Sequence, residues 1–178
     1  MPSGAQQIER PKNMRASHSI TVQEAEAKLA KRCMRGECST GELDDKMRVW
    51  GLNADDRQAV IDRLVELKFV DDERFCRAFV NDKVKYNRWG RRKIEQALWQ
   101  KHVPSEVSSP ILDAVPDADY MEALSSLLNA KWRTIKANTD YERSVKFIKY
   151  ALGRGFYMDT IRQCINEMTG EAVLEDEG

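Results

Sequence analysis

Cysteine and histidine are scarce in this chain: Cys33, Cys38, Cys76 and Cys164 are the four cysteines, and His18 and His102 the two histidines. A structural zinc site wants four soft ligands. Cys33 and Cys38 are close in sequence, but Cys76, Cys164 and both histidines lie far from them, so no metal is expected. Cys33 reads as a small residue on a helix face. Long apolar runs are missing too, with no uninterrupted stretch of about 18 apolar residues such as a membrane span requires. The first nineteen residues are polar, are broken by Pro2 and Pro11, and lack the apolar core of a secretory signal. Free thiols, a cytoplasmic location and no membrane partner are therefore expected. Charge of one sign is not in excess either, since 29 basic residues face 29 acidic ones. The whole molecule is not a generic polyanion binder, and any nucleic-acid role must rest on local patches. Nor is there a glycine-rich phosphate cradle. Gly153 and Gly155 end a helical segment, whereas a phosphate loop needs its glycines and a Lys-Ser/Thr pair ahead of one. Asp71-Asp72 falls at a helix start, where capping explains it, and neither histidine has a partner for acid–base work. No enzyme activity and no cofactor are expected.

What is present is a dense helical pattern. Hydrophobic residues make up 42% and charged residues 33% of 178, enough for a core beneath a heavily charged surface. An internal repeat decides the architecture. The segment from Glu42 to Leu64, shifted by 51 positions, falls on Lys93 to Val115, and a further shift of 53 places it on Lys146 to Met168. Leu43, Ile94 and Phe147 coincide, as do Met47, Leu98 and Ala151. After a turn come Leu52, Val103 and Phe156, then Val60, Ile111 and Cys164, with Ile61, Leu112 and Ile165 beside them. Each copy reads as two short helices joined at a turn. Gly51 and Gly155 stand just past the first, where a left-handed residue ends a helix at low cost. His102 holds that place in the middle copy, predicting a somewhat strained turn.

A longer helix precedes each pair. Thr21 with Glu24, Ser39 with Glu42 and Thr139 with Glu142 have capping-box spacing. Asp71-Asp72-Glu73 puts negative charge at the start of the helix carrying Phe75, Ala78 and Phe79. The expected fold is all-α: three tandem three-helix repeats forming an elongated, curved body. The repeats span 20–70, 71–115 and 117–170, between a flexible tail at 1–19 and an acidic tail at 171–178. Asn53 to Asp56 and Ala137 to Asp140 read as loops. Pro110 is awkward inside a helix. Either the helix starts at Ser109, with Pro110 in its first turn, or it is kinked, and the shorter helix is favoured.

The stretch Leu64 to Val103 resembles the RecX family. Phe69-Val70-Asp71-Asp72-Glu73-Arg74-Phe75, Arg77-Ala78-Phe79-Val80, Trp89-Gly90-Arg91-Arg92-Lys93-Ile94 and Leu98 match that family's pattern. Ser39, Glu42-Leu43 and Met47 resemble its first copy, and Leu152 and Arg154-Gly155-Phe156 its closing segment, so the resemblance covers about residues 25–168. Lys68 and His102 stand where glycine is usual. The resemblance implies a protein that lies against the RecA–DNA filament and mainly inhibits RecA's ATPase, strand-exchange and SOS coprotease activities in repair and recombination. Its partner is then the RecA filament, a monomer is expected, and direct contact to single- or double-stranded DNA is left open. A helix-turn-helix DNA-binding protein is the alternative.

The sharpest local feature is the run from Lys83 to Lys93, with six basic residues, two aromatics and no acid. Its candidate contact residues are Lys83, Lys85, Tyr86, Arg88, Trp89, Arg91, Arg92 and Lys93. Counterion release draws such a cluster to phosphates, and Tyr86 and Trp89 are suited to stacking on unpaired bases. The other reading is a core tryptophan with an ordinary solvated helix start, and for Trp89 alone the core reading leads. Two looser basic sets, Lys28, Lys31, Arg32 and Arg35, and Lys131, Arg133, Lys136, Arg143, Lys146 and Lys149, read first as solvated faces.

Overall fold

The computed structural model describes residues 19–170. The expected tails, including His18, lie outside the described residues apart from Ser19. Among the described residues the chain is all-helical, with nine helices and no strand. They are α1 (Val22–Cys33), α2 (Thr40–Val49), α3 (Ala54–Glu66), α4 (Asp72–Lys85), α5 (Arg91–Gln100), α6 (Ser105–Asp113), α7 (Asp117–Lys131), α8 (Asp140–Gly153) and α9 (Met158–Thr169).

Short polar signals start most of these helices. Thr21 and Ser39 form complete capping boxes with Glu24 and Glu42. Asp71 accepts the amide of Arg74 at 3.0 Å, and Asn53 that of Asp56 at 2.8 Å. Asn53 is therefore a cap and Ala54 to Asp56 are already helical, a correction to the loop expected there. Ahead of α8, Thr139 accepts the Glu142 amide, but the Glu142 carboxylate reaches past it to the amide of Asn138 at 2.9 Å. That box is only half made.

Pro110 also corrects the sequence reading. The helix starts at Ser105, not Ser109, and Pro110 lies in its second turn. The amides of Val107 and Ser108 both donate to Pro104 O at 3.0 Å, which fixes the earlier start. The proline removes one helical bond on an exposed face. Burial of Ile111 and Leu112, in the register this helix sets, offsets that loss.

Equivalent positions of the repeat share one environment. Leu43, Ile94 and Phe147 are buried, as are Met47, Leu98 and Ala151, then Leu52, Val103 and Phe156, then Val60, Ile111 and Cys164. Within each triplet the first and second helices pack on the third. The turn after the second helix uses a left-handed residue each time, Gly51 at φ 84°, His102 at 56° and Gly155 at 91°. Lys68, at φ 60°, does the same between α3 and α4.

The core is divided unequally. Leu29, Leu43, Met47, Val60 and Leu64 belong to a cluster confined to α1–α3 and their loops. A second cluster runs without interruption from Phe75 to Ile165 through both later triplets, where α4 packs on α7. The triplets follow one another in a row, and the second helix of each of the first two begins against the next triplet. Ser39 Oγ, at the start of α2, donates to Lys101 O after α5 at 2.9 Å. The Gly90 and Arg92 amides, at the start of α5, donate to Arg154 O and Gly155 O after α8 at 2.8 and 3.2 Å. The positive end of one helix dipole thus meets the negative end of another.

Candidate interaction surface

The basic segment from Lys83 to Lys93 is the last turn of α4, a tight connection and the first turn of α5. Lys83 and Lys85 sit at the carbonyl end of α4, where cations are favoured. The connection is held by its backbone: the Asn87 amide donates to Asp82 O at 3.2 Å and the Trp89 amide to Lys83 O at 2.9 Å. Arg88 between them is left-handed, at φ 52°. Gly90 caps α5 without a side chain. Its amide hydrogen bond to Arg154 O explains how three cations tolerate a helix start: the field of α5 is opposed there by the carbonyls that close α8.

The eight candidate residues do not form one face. Trp89 is half-buried and packed against the large core. The ammonium groups of Lys83 and Lys93 lie 4.9 and 4.5 Å from its ring centroid, so its ring is already a cation platform within the chain. Arg91 is tied by Nε to Glu95 at 2.8 Å and by Nη2 to Asp113 at 2.6 Å. Those two hydrogen bonds raise its guanidinium above the ordinary arginine range. Arg92 stacks over Tyr157 at 5.1 Å. Lys85 and Arg88 stay exposed and, with Asp119 and Glu122, line a cavity of about 290 Å³. Tyr86 is 77% exposed. The exposed members of the set are therefore Lys85, Tyr86, Arg88 and Arg92.

Four of the ten residues in the looser basic sets are engaged within the chain, and the others lie exposed, as a solvated face does. Lys28 lies over Trp50 at 5.7 Å and Lys131 over Tyr150 at 4.4 Å. Arg143 pairs with Asp140 at 2.8 Å, and Lys146 pairs with Glu142 at 2.8 Å while donating to Lys136 O at 2.6 Å. Trp99, 76% exposed, was not singled out from the sequence. Its place beside Leu98, off the buried stripe of α5, was the available signal.

The contact between the first two triplets is polar. Glu42 pairs with Lys101, the Thr40 amide and hydroxyl both donate to Asp72, at 2.8 and 2.7 Å, and Arg74 Nε meets Glu37 at 2.6 Å. Burial alone pushes the Glu42 carboxyl up. The hydrogen bonds from Lys101 and the Ser39 amide outweigh it and leave the group below its ordinary value. Burial raises the Cys33 and Cys76 thiols to about 11, with Cys38 adding to the shift at Cys33. Among the described residues no group of three or more His, Cys, Asp or Glu is placed to hold a metal ion. None of their helices is long and apolar enough to cross a membrane.

Two family models match the chain, "RecX, second three-helix domain" at residues 71–109 and "RecX, third three-helix domain" at 117–165. "Regulatory protein RecX" of Vibrio parahaemolyticus is 30% identical over 127 residues, which are 70% of this chain and 79% of that protein. The chain belongs to the RecX family. A second RecX relative, from Clostridium botulinum, is 29% identical over 150 residues, 83% of this chain and 68% of its own. The crystal structure of RecX from Lactobacillus salivarius superposes with a TM-score of 0.75 at 17% identity, covering 84% of this chain and 97% of that one. That likeness bears on the fold: three tandem three-helix repeats in an elongated body. Lys68 and His102 both adopt the left-handed backbone that a glycine would take at such turns.

Proposed function

We propose that this chain binds the RecA–DNA filament and restrains RecA's ATPase, strand-exchange and SOS coprotease activities, acting in the cytoplasm as a monomer and by binding, not catalysis. Membership in the RecX family is the observation that carries the reading, since the relatives bear the name of a regulatory protein. A row of small modules, each leaning on the next, suits a scaffold that follows a repeating polymer. Lys85, Tyr86, Arg88 and Arg92 supply exposed cations and an aromatic ring for a filament that carries phosphates and acidic side chains.

A helix-turn-helix reader of duplex DNA fits less well. Such a protein inserts the start of a recognition helix into the major groove. The start of α5, the most basic helix start among the described residues, is closed against Arg154 and Gly155 of the third triplet.

The test is RecA's single-stranded-DNA-dependent ATP hydrolysis, read with co-sedimentation on RecA–DNA filaments. Slowed hydrolysis well below one protein per RecA, with the chain pelleting alongside the filament, is expected. Unchanged hydrolysis at equimolar, folded protein sinks the proposal. Replacing Lys85, Arg88 and Arg92 together with glutamine should require roughly tenfold more protein for half-inhibition, through lost counterion release. Arg91 is left out of that triple variant because its two carboxylate bonds make it part of the fold.

A further inference from the structure

Cys33 closes α1, Cys38 stands just before the cap of α2, and four residues separate them. The chain turns back directly after α1, where the Met34 amide donates to Ala30 O and the Arg35 amide to Arg32 O. Both side chains then pack on one small apolar cluster, that of Leu29 and Leu43. Their thiols are also hydrogen-bonded to each other. Cys38 Sγ donates to Gly36 O at 3.6 Å, so within the pair Cys33 is the donor. Cys76 and Cys164 lie in the other, larger cluster, and Cys164 meets Ser125 Oγ at 3.5 Å. All four are free thiols.

The same segment carries the joint to the second triplet. Glu37 meets Arg74 at 2.6 Å, Ser39 donates to Lys101 O, and Thr40 donates to Asp72. Exposure divides the two cysteines. Cys33 is half-buried and open to a small reagent, whereas Cys38 is 3% exposed. Burial, and then the neighbouring Cys38, raises the Cys33 thiol to about 11, with Arg32 acting the other way. Its thiolate is scarce at neutral pH, so a first attack by Cys33 is slow. The step that follows is different, because the second sulfur is already in contact and closing so short a loop costs little entropy.

We propose that Cys33 and Cys38 form a dithiol site that a low-molecular-weight disulfide, oxidised glutathione, converts to an intramolecular disulfide. Cys33 loses its proton and attacks one sulfur of the reagent. That S–S bond breaks, and one glutathione leaves as the thiol with the proton. Cys38 then loses its own proton and attacks Cys33 Sγ, the Sγ–Sγ bond forms, and the second glutathione leaves as the thiol. Two protons and two electrons pass from the protein to two glutathiones. Closure brings the sulfurs to about 2.05 Å and clamps the segment holding Glu37 and Ser39 to the end of α1. The site stands apart from the proposal about RecA, because its test contains neither RecA nor DNA.

The full, reduced chain is incubated with oxidised glutathione, quenched in acid and weighed by mass spectrometry. A loss of about 2 Da, the two hydrogens of one disulfide, is expected, and trypsin should release residues 33–35 linked to 36–46. Between about pH 7 and 9 the rate should rise roughly tenfold per unit, as the thiolate fraction does. Cys38→Ser should stop at a glutathione adduct on Cys33, and folded Cys33→Ser should stay unmodified. Dithiothreitol should restore the starting mass. Hydrogen-exchange protection in α1 and α2 should rise on oxidation. A wild-type chain that stops at the adduct, closes only in urea, or links Cys76 or Cys164 overturns the site. Unchanged or lower protection after closure overturns the clamp.

Discussion

Gly90 and Gly155 approach each other more closely than any side chain would allow. A Cβ on Gly90 would stand 2.3 Å from the carbonyl of Gly155, and one on Gly155 2.4 Å from the Lys93 amide. Both contacts are with backbone, which cannot swing aside. Gly90→Ala should therefore cost about 2–3 kcal/mol in urea unfolding, whereas Gly153→Ala, with open space around its Cβ, should leave stability unchanged or slightly raised. Lys68 poses the opposite case. It holds φ 60° with a side chain, in the left-handed region that favours glycine. Lys68→Gly should raise stability by up to about 1 kcal/mol, the relief of a left-handed residue less the added freedom of the unfolded chain. A lower melting temperature for Lys68→Gly would show that the turn is not strained.

Between elements, the joint from α2 to α5 depends on charge. Glu42 takes the Lys101 ammonium and the Ser39 amide, and its carboxyl sits below the ordinary value for that reason. A depressed folded pKa gives stability that is fully present above the unfolded value of about 4.3 and is lost as pH falls through the lower folded value. The first triplet should accordingly loosen from the second in acid. Glu42→Gln should cost about 1 kcal/mol near pH 7 and remove that part of the acid dependence. Urea unfolding of both proteins between pH 7 and 3 measures it, and parallel curves across that range would contradict the account. The joint from α5 to α8 rests on backbone hydrogen bonds and a shared apolar core, so it carries no such pH dependence of its own.

For the whole molecule, the unequal division of the core sets how it comes apart. The first triplet has its own small cluster and touches the second through ion pairs and hydrogen bonds, while the second and third are one apolar body. Cooperativity follows buried apolar contact. Hydrogen exchange should show lower protection in α1–α3 than in α4–α9. Leu29→Ala, removing a fully buried side chain from the smaller cluster, should cost about 2–5 kcal/mol and lower protection in α1–α3 alone. Uniform loss across all helices would mean that the polar joint couples the triplets as firmly as the apolar one.

Much of this was legible from residues alone. Apolar spacing, caps and the thrice-used pattern of Leu43, Ile94 and Phe147 determine where helices form and which side they bury, because helix period and capping act within a few residues. Pro110 misled because its penalty is local, whereas the burial of Ile111 and Leu112 that outweighs it comes from packing on α4. The basic segment could be seen but not resolved. Whether Arg91 is free or bridged depends on Asp113, which is 22 residues away and reaches it only through the fold. That Glu95, Asp113, Asp117 and Tyr120 line one cleft was invisible for the same reason. Charge and hydrogen bonding act through space over a few ångströms, and only tertiary structure decides which distant side chains come within that range.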